Sequence, residues 1–305
     1  MKNTLRAVFI CVLAFAWPGG TASAEERQPI IDIHMHPVID MAPLAEMLSV
    51  IDLQGLRVSD SGDALLAETL ELLDHYNIVK VILSGDAEAV AKWRTADPKR
   101  FIPALQPQRL TADPAHAESL RPLFESGKME AFGEVSGQYL GFGPDDQAYE
   151  PYFALAEEFD IPFGVHMGMG PPGAVQTIAP TYRARLGDPL LLEEVIVRHP
   201  KLRVYVMHAG WPMIDNMIAV LYNHPSVYVD VSLINWHIPR KEFHYYLRRL
   251  VEAGFGERIM WGSDHGATPD AIHIAVEAIE SADFLSAEQK RDIFYNNAVR
   301  FLRLD

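Results

Sequence analysis

Thiols are almost absent: Cys11 is the only cysteine in 305 residues, and it lies in a segment expected to be removed. Disulfide staples, thiolate metal ligands and a cysteine nucleophile are therefore excluded from the mature chain. Positive charge is also scarce, with 26 Lys and Arg against 41 Asp and Glu, a formal net charge of −15. A surface of that sign disfavours nucleic acid and anionic membrane, and no basic patch reverses it. Long apolar runs are missing too. No heptad, internal repeat or low-complexity segment interrupts the chain, and no glycine-rich phosphate loop follows its first strand-like run.

The N-terminus has the form of a secretory signal. Lys2 and Arg6 precede the apolar run Ala7 to Ala16, which is followed by Pro18-Gly19-Gly20 and then Ala22-Ser23-Ala24. That is a charged region, a short apolar region and an A-x-A cleavage site. The apolar run is too short for a membrane anchor. Cleavage after Ala24 leaves residues 25–305 as a single domain, periplasmic or secreted. The net charge then falls from −15 to −17 with the loss of Lys2 and Arg6. Mass spectrometry of protein from the envelope fraction is expected to find Glu25 at the N-terminus. A full-length cytoplasmic product would refute export.

Eight runs of strand length follow, each separated from the next by a helical pattern or a loop. They begin at Ile30, Val79, Phe101, Glu130, Pro162, Val204, Val227 and Arg258. Most are apolar on both faces, which demands a parallel sheet covered on both sides. Eight such units in this length predict an α/β fold, a single-domain (β/α)8 TIM barrel. A doubly wound open sheet is the alternative. One connection, Gly168 to Gly187, is unusually long and rich in glycine and proline.

Polar residues collect where these runs end. The first closes as Asp32-Ile33-His34-Met35-His36-Pro37, and residues two apart on a strand share a face. The fourth ends at Glu134, the fifth at His166, the sixth runs into His208, and the eighth into Asp264. In a barrel these carboxyl ends converge on one mouth. Four histidines and two carboxylates there suit a borderline divalent ion such as Zn²⁺. Asp32 either holds the imidazole tautomers or is an ordinary strand-start aspartate.

The chain resembles the amidohydrolase superfamily, in its amidohydrolase-related (amidohydrolase 2) branch of metal-dependent TIM-barrel hydrolases. Asp32-Ile33-His34-Met35-His36, Gly164-Val165-His166, Met207-His208-Ala209-Gly210-Trp211 and Gly262-Ser263-Asp264 carry the resemblance. It implies that His34, His36 and Asp264 bind one metal, that His166 and His208 can bind a second, and that Glu134 bridges the two. It also implies an alternative in which one metal is present and His208 is a catalytic acid or base.

A divalent ion brings bound water toward ionisation at neutral pH. Asp264 is then expected to take the water's proton and pass it to the leaving group. The expected function is hydrolysis of a small ester, lactone or amide. The alternatives are a lyase that decarboxylates or hydrates a small carboxylic acid, and a metal-carrying binding protein without catalysis. Tyr139, Trp211 and Trp236 are expected to wall the substrate pocket, with His265 close to it. Arg183 and Arg185 either hold a substrate carboxylate or simply balance an acidic surface. The expected partner is a small molecule, with neither nucleic acid nor, after signal cleavage, membrane; nothing excludes a homo-oligomer.

Overall fold

Strands that are apolar on both faces need a cover of helices, and the alternation of the two elements along this chain provides it. In this computed structural model residues 27–44, 48, 53 and 55–304 are described; the signal segment 1–24 lies outside them. The strands are β1 (Ile30–Met35), β2 (Ile78–Gly85), β3 (Phe101–Leu105), β4 (Ala131–Val135), β5 (Pro162–His166), β6 (Arg203–Met207), β7 (Tyr228–Asp230) and β8 (Ile259–Met260). They pair in sequence order, and every pairing is parallel. With helices between them, they form the expected (β/α)8 barrel.

The last seam is closed by the segment after β8 rather than by a full ladder. Asp264 N donates to His34 O at 2.7 Å, His36 N donates to His265 O at 2.8 Å, and Met35 bridges His265. The closure therefore carries Asp264 to the side of the two β1 histidines. Gly262 makes this approach possible, because a Cβ there would lie 3.0 Å from His34 Cβ and 3.1 Å from Ser232 Cβ.

The main core lies between strands and helices. Phe132 and Phe153 flank Phe163 with ring centroids 5.1 and 4.7 Å away. Each such buried side chain contributes roughly 1.5–3 kcal/mol. A second cluster joins Ile31, Ile33, Ile82, Tyr205, Met207 and Met260 to Ala298 and Phe301 of the last helix. These two clusters fix the strands, and through them the mouth.

Local signals behave as their chemistry requires. Ser286 and Gln289 form a capping box at the start of the helix Ala287–Arg291. Between β3 and β4 the chain forms two short helices, Pro114–Glu118 and Arg121–Glu125. Pro122, with no N–H to donate, stands in the first turn of the second piece. The 168–187 connection is irregular, with short turns at Ala174–Gln176 and Ala184–Gly187. Among the described residues no helix is long and apolar enough to cross a membrane.

Candidate metal centre

The six strand-end residues meet at one place. His34 Nε2 lies 3.1 Å from His36 Nε2 and 3.3 Å from Asp264 Oδ1. His36 Nε2 lies 3.0 Å from Glu134 Oε2 and 3.1 Å from Asp264 Oδ1. The longest of these edges, His34 Nε2 to Glu134 Oε2, is 3.9 Å. Nitrogen and oxygen donors about 2.0–2.2 Å from one ion stand roughly 3.0–3.5 Å apart. Four of these separations fall in that range, and the fifth, His34 to Glu134, is about 0.4 Å beyond it.

Its hydrogen-bond chemistry also asks for a cation. His36 Nδ1 faces the carbonyl of Ser84 at 2.9 Å, and a carbonyl only accepts, so Nδ1 carries the proton. Nε2 of a neutral His36 is then a lone pair aimed at three other acceptors. Where no cation stands among them, protons take its place. Burial opposes charge on His36, but Glu134 and Asp264 outweigh it and hold the imidazole up at about 9. Burial likewise opposes charge on His34, and Asp264 with Asp230 raises it well above the ordinary value. Burial would push the Glu134 and Asp264 carboxyls up, yet the facing histidines hold both below the usual range. The donors fit a divalent ion by spacing, by charge and by lone-pair direction.

A second group shares Glu134. Its Oε1 lies 2.9 Å from His166 Nδ1 and 3.5 Å from His208 Nε2, and the two histidine nitrogens are 3.2 Å apart. Oε2 belongs to the first set and Oε1 to the second, so the carboxylate stands between them. This second group can also be satisfied without a cation, by one proton on His166 Nδ1. Burial keeps the His166 imidazole below its ordinary value. His208 sits above its own: burial opposes the charge, but Glu134 and Asp264 prevail. His166 Nε2 is buried with no hydrogen-bond partner among the described residues.

Three of these residues adopt left-handed backbone, which strand residues other than glycine avoid: Glu134 (φ 34°), His208 (φ 57°) and Asp264 (φ 49°). Each costs on the order of 1–3 kcal/mol and persists because neighbours hold it. Asp230 Oδ1 accepts from His208 N at 3.0 Å, His34 O accepts from Asp264 N, and Ser136 Oγ donates to Glu134 O at 2.9 Å. Around Glu134 the β4–β5 register is irregular. Such a break in alternation re-aims a side chain at the end of a strand.

Sequence reasoning missed two residues at the end of β7. Asp230 and Ser232 are fully buried. Asp230 Oδ2 lies 3.2 Å from His34 Nδ1, and Ser232 Oγ lies 2.9 Å from the same nitrogen. The signal was available: Tyr228-Val229-Asp230-Val231-Ser232 puts a carboxylate at a strand end, as Gly133-Glu134-Val135-Ser136 does. Asp32 does not hold an imidazole. Its Oδ1 accepts from the backbone N–H of His34 and of Ser263, tying β1 to the closing segment. Burial pushes its carboxyl up to about 7.

The expected wall residues divide. Tyr139 packs on His166 with ring centroids 5.0 Å apart and borders a cavity of about 220 Å³ with Gln106, Gln108, Ser136 and Leu140. Trp211 donates to Glu242 at 3.3 Å, and Trp236 is buried and donates to Ser263 O at 2.7 Å. Trp236 thus supports the closing segment from behind. Arg183 is exposed and folds back on the carbonyls of Pro180 and Tyr182. His265 is fully buried, its Nε2 against Thr69 Oγ1 at 2.8 Å, in the helix Gly62–His75. Burial holds it down at about 4. A larger cleft of about 470 Å³ opens by Arg203 and Tyr228, the first residues of β6 and β7, at the opposite rim.

A parallel eight-stranded barrel with histidines and carboxylates at its carboxyl-end mouth defines a class of barrel enzymes that act on small molecules. The chain belongs to the amidohydrolase family, whose sequence model, described as amidohydrolase, matches residues 31–304. No match is found among curated proteins. Among solved structures, the chain is similar to an uncharacterized TIM-barrel protein from Bordetella bronchiseptica, with 16% identity and a TM-score of 0.66 over 90% of this chain and 99% of the other. A probable 2-pyrone-4,6-dicarboxylic acid hydrolase from Acinetobacter baumannii matches with 14% identity and a TM-score of 0.63, over 90% and 99%. A 5-carboxyvanillate decarboxylase from Novosphingobium aromaticivorans, complexed with manganese, matches with 15% identity and a TM-score of 0.60, over 94% and 97%. At these identities the likeness is one of fold. The family is metal-dependent, and its relatives include both hydrolases and decarboxylases.

Proposed function

We propose that this protein is an exported, metal-dependent hydrolase of a small ester, lactone or amide. The observation that carries it is the Glu134 carboxylate, with Oε2 beside His36 and Oε1 beside His166. His34, His36, Glu134 and Asp264 would hold one divalent cation, and Glu134, His166 and His208 a second. A divalent cation in such a site polarises a carbonyl and brings water toward ionisation at neutral pH.

The chain's own residues supply the rest. Asp264 presents Oδ1 to the histidines, which leaves Oδ2, 4.0 Å from His208 Nδ1, to accept the attacking water's proton. The same oxygen returns that proton to the leaving group. Ser84 O orients His36 from behind. Gln106 Nε2 reaches Glu134 Oε2 at 3.4 Å and helps to orient it. Tyr139, beside His166, covers one flank of the site and limits water there.

One observation favours a second reading. The Glu134, His166 and His208 group can be satisfied by a single proton on His166 Nδ1, with His208 left free of a cation to serve as a catalytic acid or base. That arrangement suits a one-cation lyase that decarboxylates or hydrates a small carboxylic acid.

Protein purified without added metal, assayed for metal content and for turnover of ester, lactone and amide panels, tests the proposal. About one to two divalent ions per chain are expected, with turnover lost on chelation and restored by Zn²⁺ or Mn²⁺. Release of CO₂ or hydration of carboxylic acids, with no hydrolysis, would select the lyase. Full hydrolysis by metal-free protein would overturn both readings.

A further inference from the structure

We infer that Asp230 and Ser232 are positioning residues that fix the ring tautomers of His34 and His208, turning both Nε2 lone pairs into the site. The inference rests on reading the four-residue set as a cation site.

A hydroxyl has one proton, and that of Ser232 is committed: Ser232 Oγ donates to Asp230 Oδ1 at 2.6 Å. Its lone pairs then face two imidazoles, His34 Nδ1 at 2.9 Å and His208 Nδ1 at 3.2 Å. Both ring nitrogens must donate. Each has a second acceptor that enforces the same choice, Asp230 Oδ2 for His34 at 3.2 Å and the carbonyl of Ser232 for His208 at 3.2 Å. With the proton on Nδ1, a neutral imidazole has its lone pair on Nε2. Those Nε2 atoms are the ones that face His36 and Asp264 in one case and Glu134 and His166 in the other.

Asp230→Asn tests this because the substitution keeps the shape and reverses one donor. Asp230 Oδ1 accepts from His208 N, Ser232 N and Ser232 Oγ. Only the amide oxygen of asparagine can take over those three bonds. The NH₂ group must then stand where Oδ2 was, facing His34 Nδ1. A donor there opposes a proton on Nδ1, leaves Ser232 Oγ at 2.9 Å as its one remaining acceptor, and shifts the ring proton toward Nε2, into the place of the cation's lone pair.

The expected result is a 10- to 100-fold loss of Zn²⁺ affinity, read by competition with a chromophoric chelator. The melting temperature of the chelator-treated variant should stay close to that of the wild type. Ser232→Ala, which leaves His34 its Asp230 partner, should lose less. In zinc-loaded wild-type protein labelled with ¹⁵N-histidine, His34 and His208 should both show Nδ1–H resonances. Wild-type affinity in Asp230→Asn, or a His34 ring proton on Nε2 in the zinc form, would overturn the inference. If Asp230→Asn does not fold, Ser232→Ala and the wild-type spectrum decide. Wild-type protein that binds no zinc would instead refute the proposed function itself.

Discussion

His34→Ala is expected to leave purified protein with little bound divalent metal and to lower turnover about a thousandfold or more, whereas His199→Ala does neither. A bound cation supplies several kcal/mol of transition-state stabilisation, and about 4 kcal/mol is three powers of ten. His34 is fully buried, and its Nε2 touches His36 and Asp264 within 3.3 Å. Alanine removes a ligand and leaves the carboxylates short of countercharge, so no rearrangement of the other three restores the set. His199 is an informative control because it too is a buried histidine between carboxylates, Glu150 at 2.9 Å and Glu157 at 3.2 Å. It caps the helix Glu193–Arg198 on the outer layer, where neither glutamate has a second histidine to share. His199→Ala should cost about 1–3 kcal/mol of stability for the lost bonds and leave metal content unchanged. Equal metal content in both variants would refute the site. His166→Ala should also lose metal, and comparing it with His34→Ala shows how the two groups divide the ions.

These contrasts show where the sequence was legible. His34, His36, Glu134, His166, His208 and Asp264 each interrupt or end an apolar run, and parallel strands in a closed barrel can only bring those ends together. Topology therefore assembled the site. Asp230 obeys the same rule but was hidden in Val227 to Val231, because β7 is only three residues long and the valines around it dominated the pattern. Asp32, a candidate holder of the imidazole tautomers, instead accepts from two backbone N–H groups, that of His34 in its own strand and that of Ser263 across the barrel seam, and no spacing announces the second. The walls were less legible for a related reason. Following a strand end does not determine the direction of a side chain. His265 pairs through its backbone with Met35 and His36, which turns its ring to Thr69. Trp236 turns behind the closing segment, and Arg183 folds onto its own loop. The left-handed backbone at Glu134, His208 and Asp264 is likewise a property of tertiary contacts, since no glycine marks those positions.

Glu134→Gln should separate the functional readings, because it removes the charge of the shared carboxylate while keeping its shape. His166 Nδ1 can still donate to the amide oxygen, which directs the NH₂ group toward His36 Nε2 and the first set. A carboxylate that stood between two cations would have offset their mutual repulsion, and an amide does not. For the hydrolase we expect loss of one ion, retention of the other on His34, His36 and Asp264 with weakened affinity, and a fall in turnover of about a hundredfold or more. The melting temperature of the metal-free variant should fall, since the facing histidines hold the Glu134 carboxyl below its usual range and an amide gives them no countercharge. A lyase with one cation would instead keep near one ion per chain, and its activity would change through the charge of the pocket. A purely structural glutamate would lose stability with no change in metal. Metal analysis, melting temperature and turnover on this one variant distinguish the three. Full metal content with wild-type hydrolysis would show that Glu134 bridges nothing.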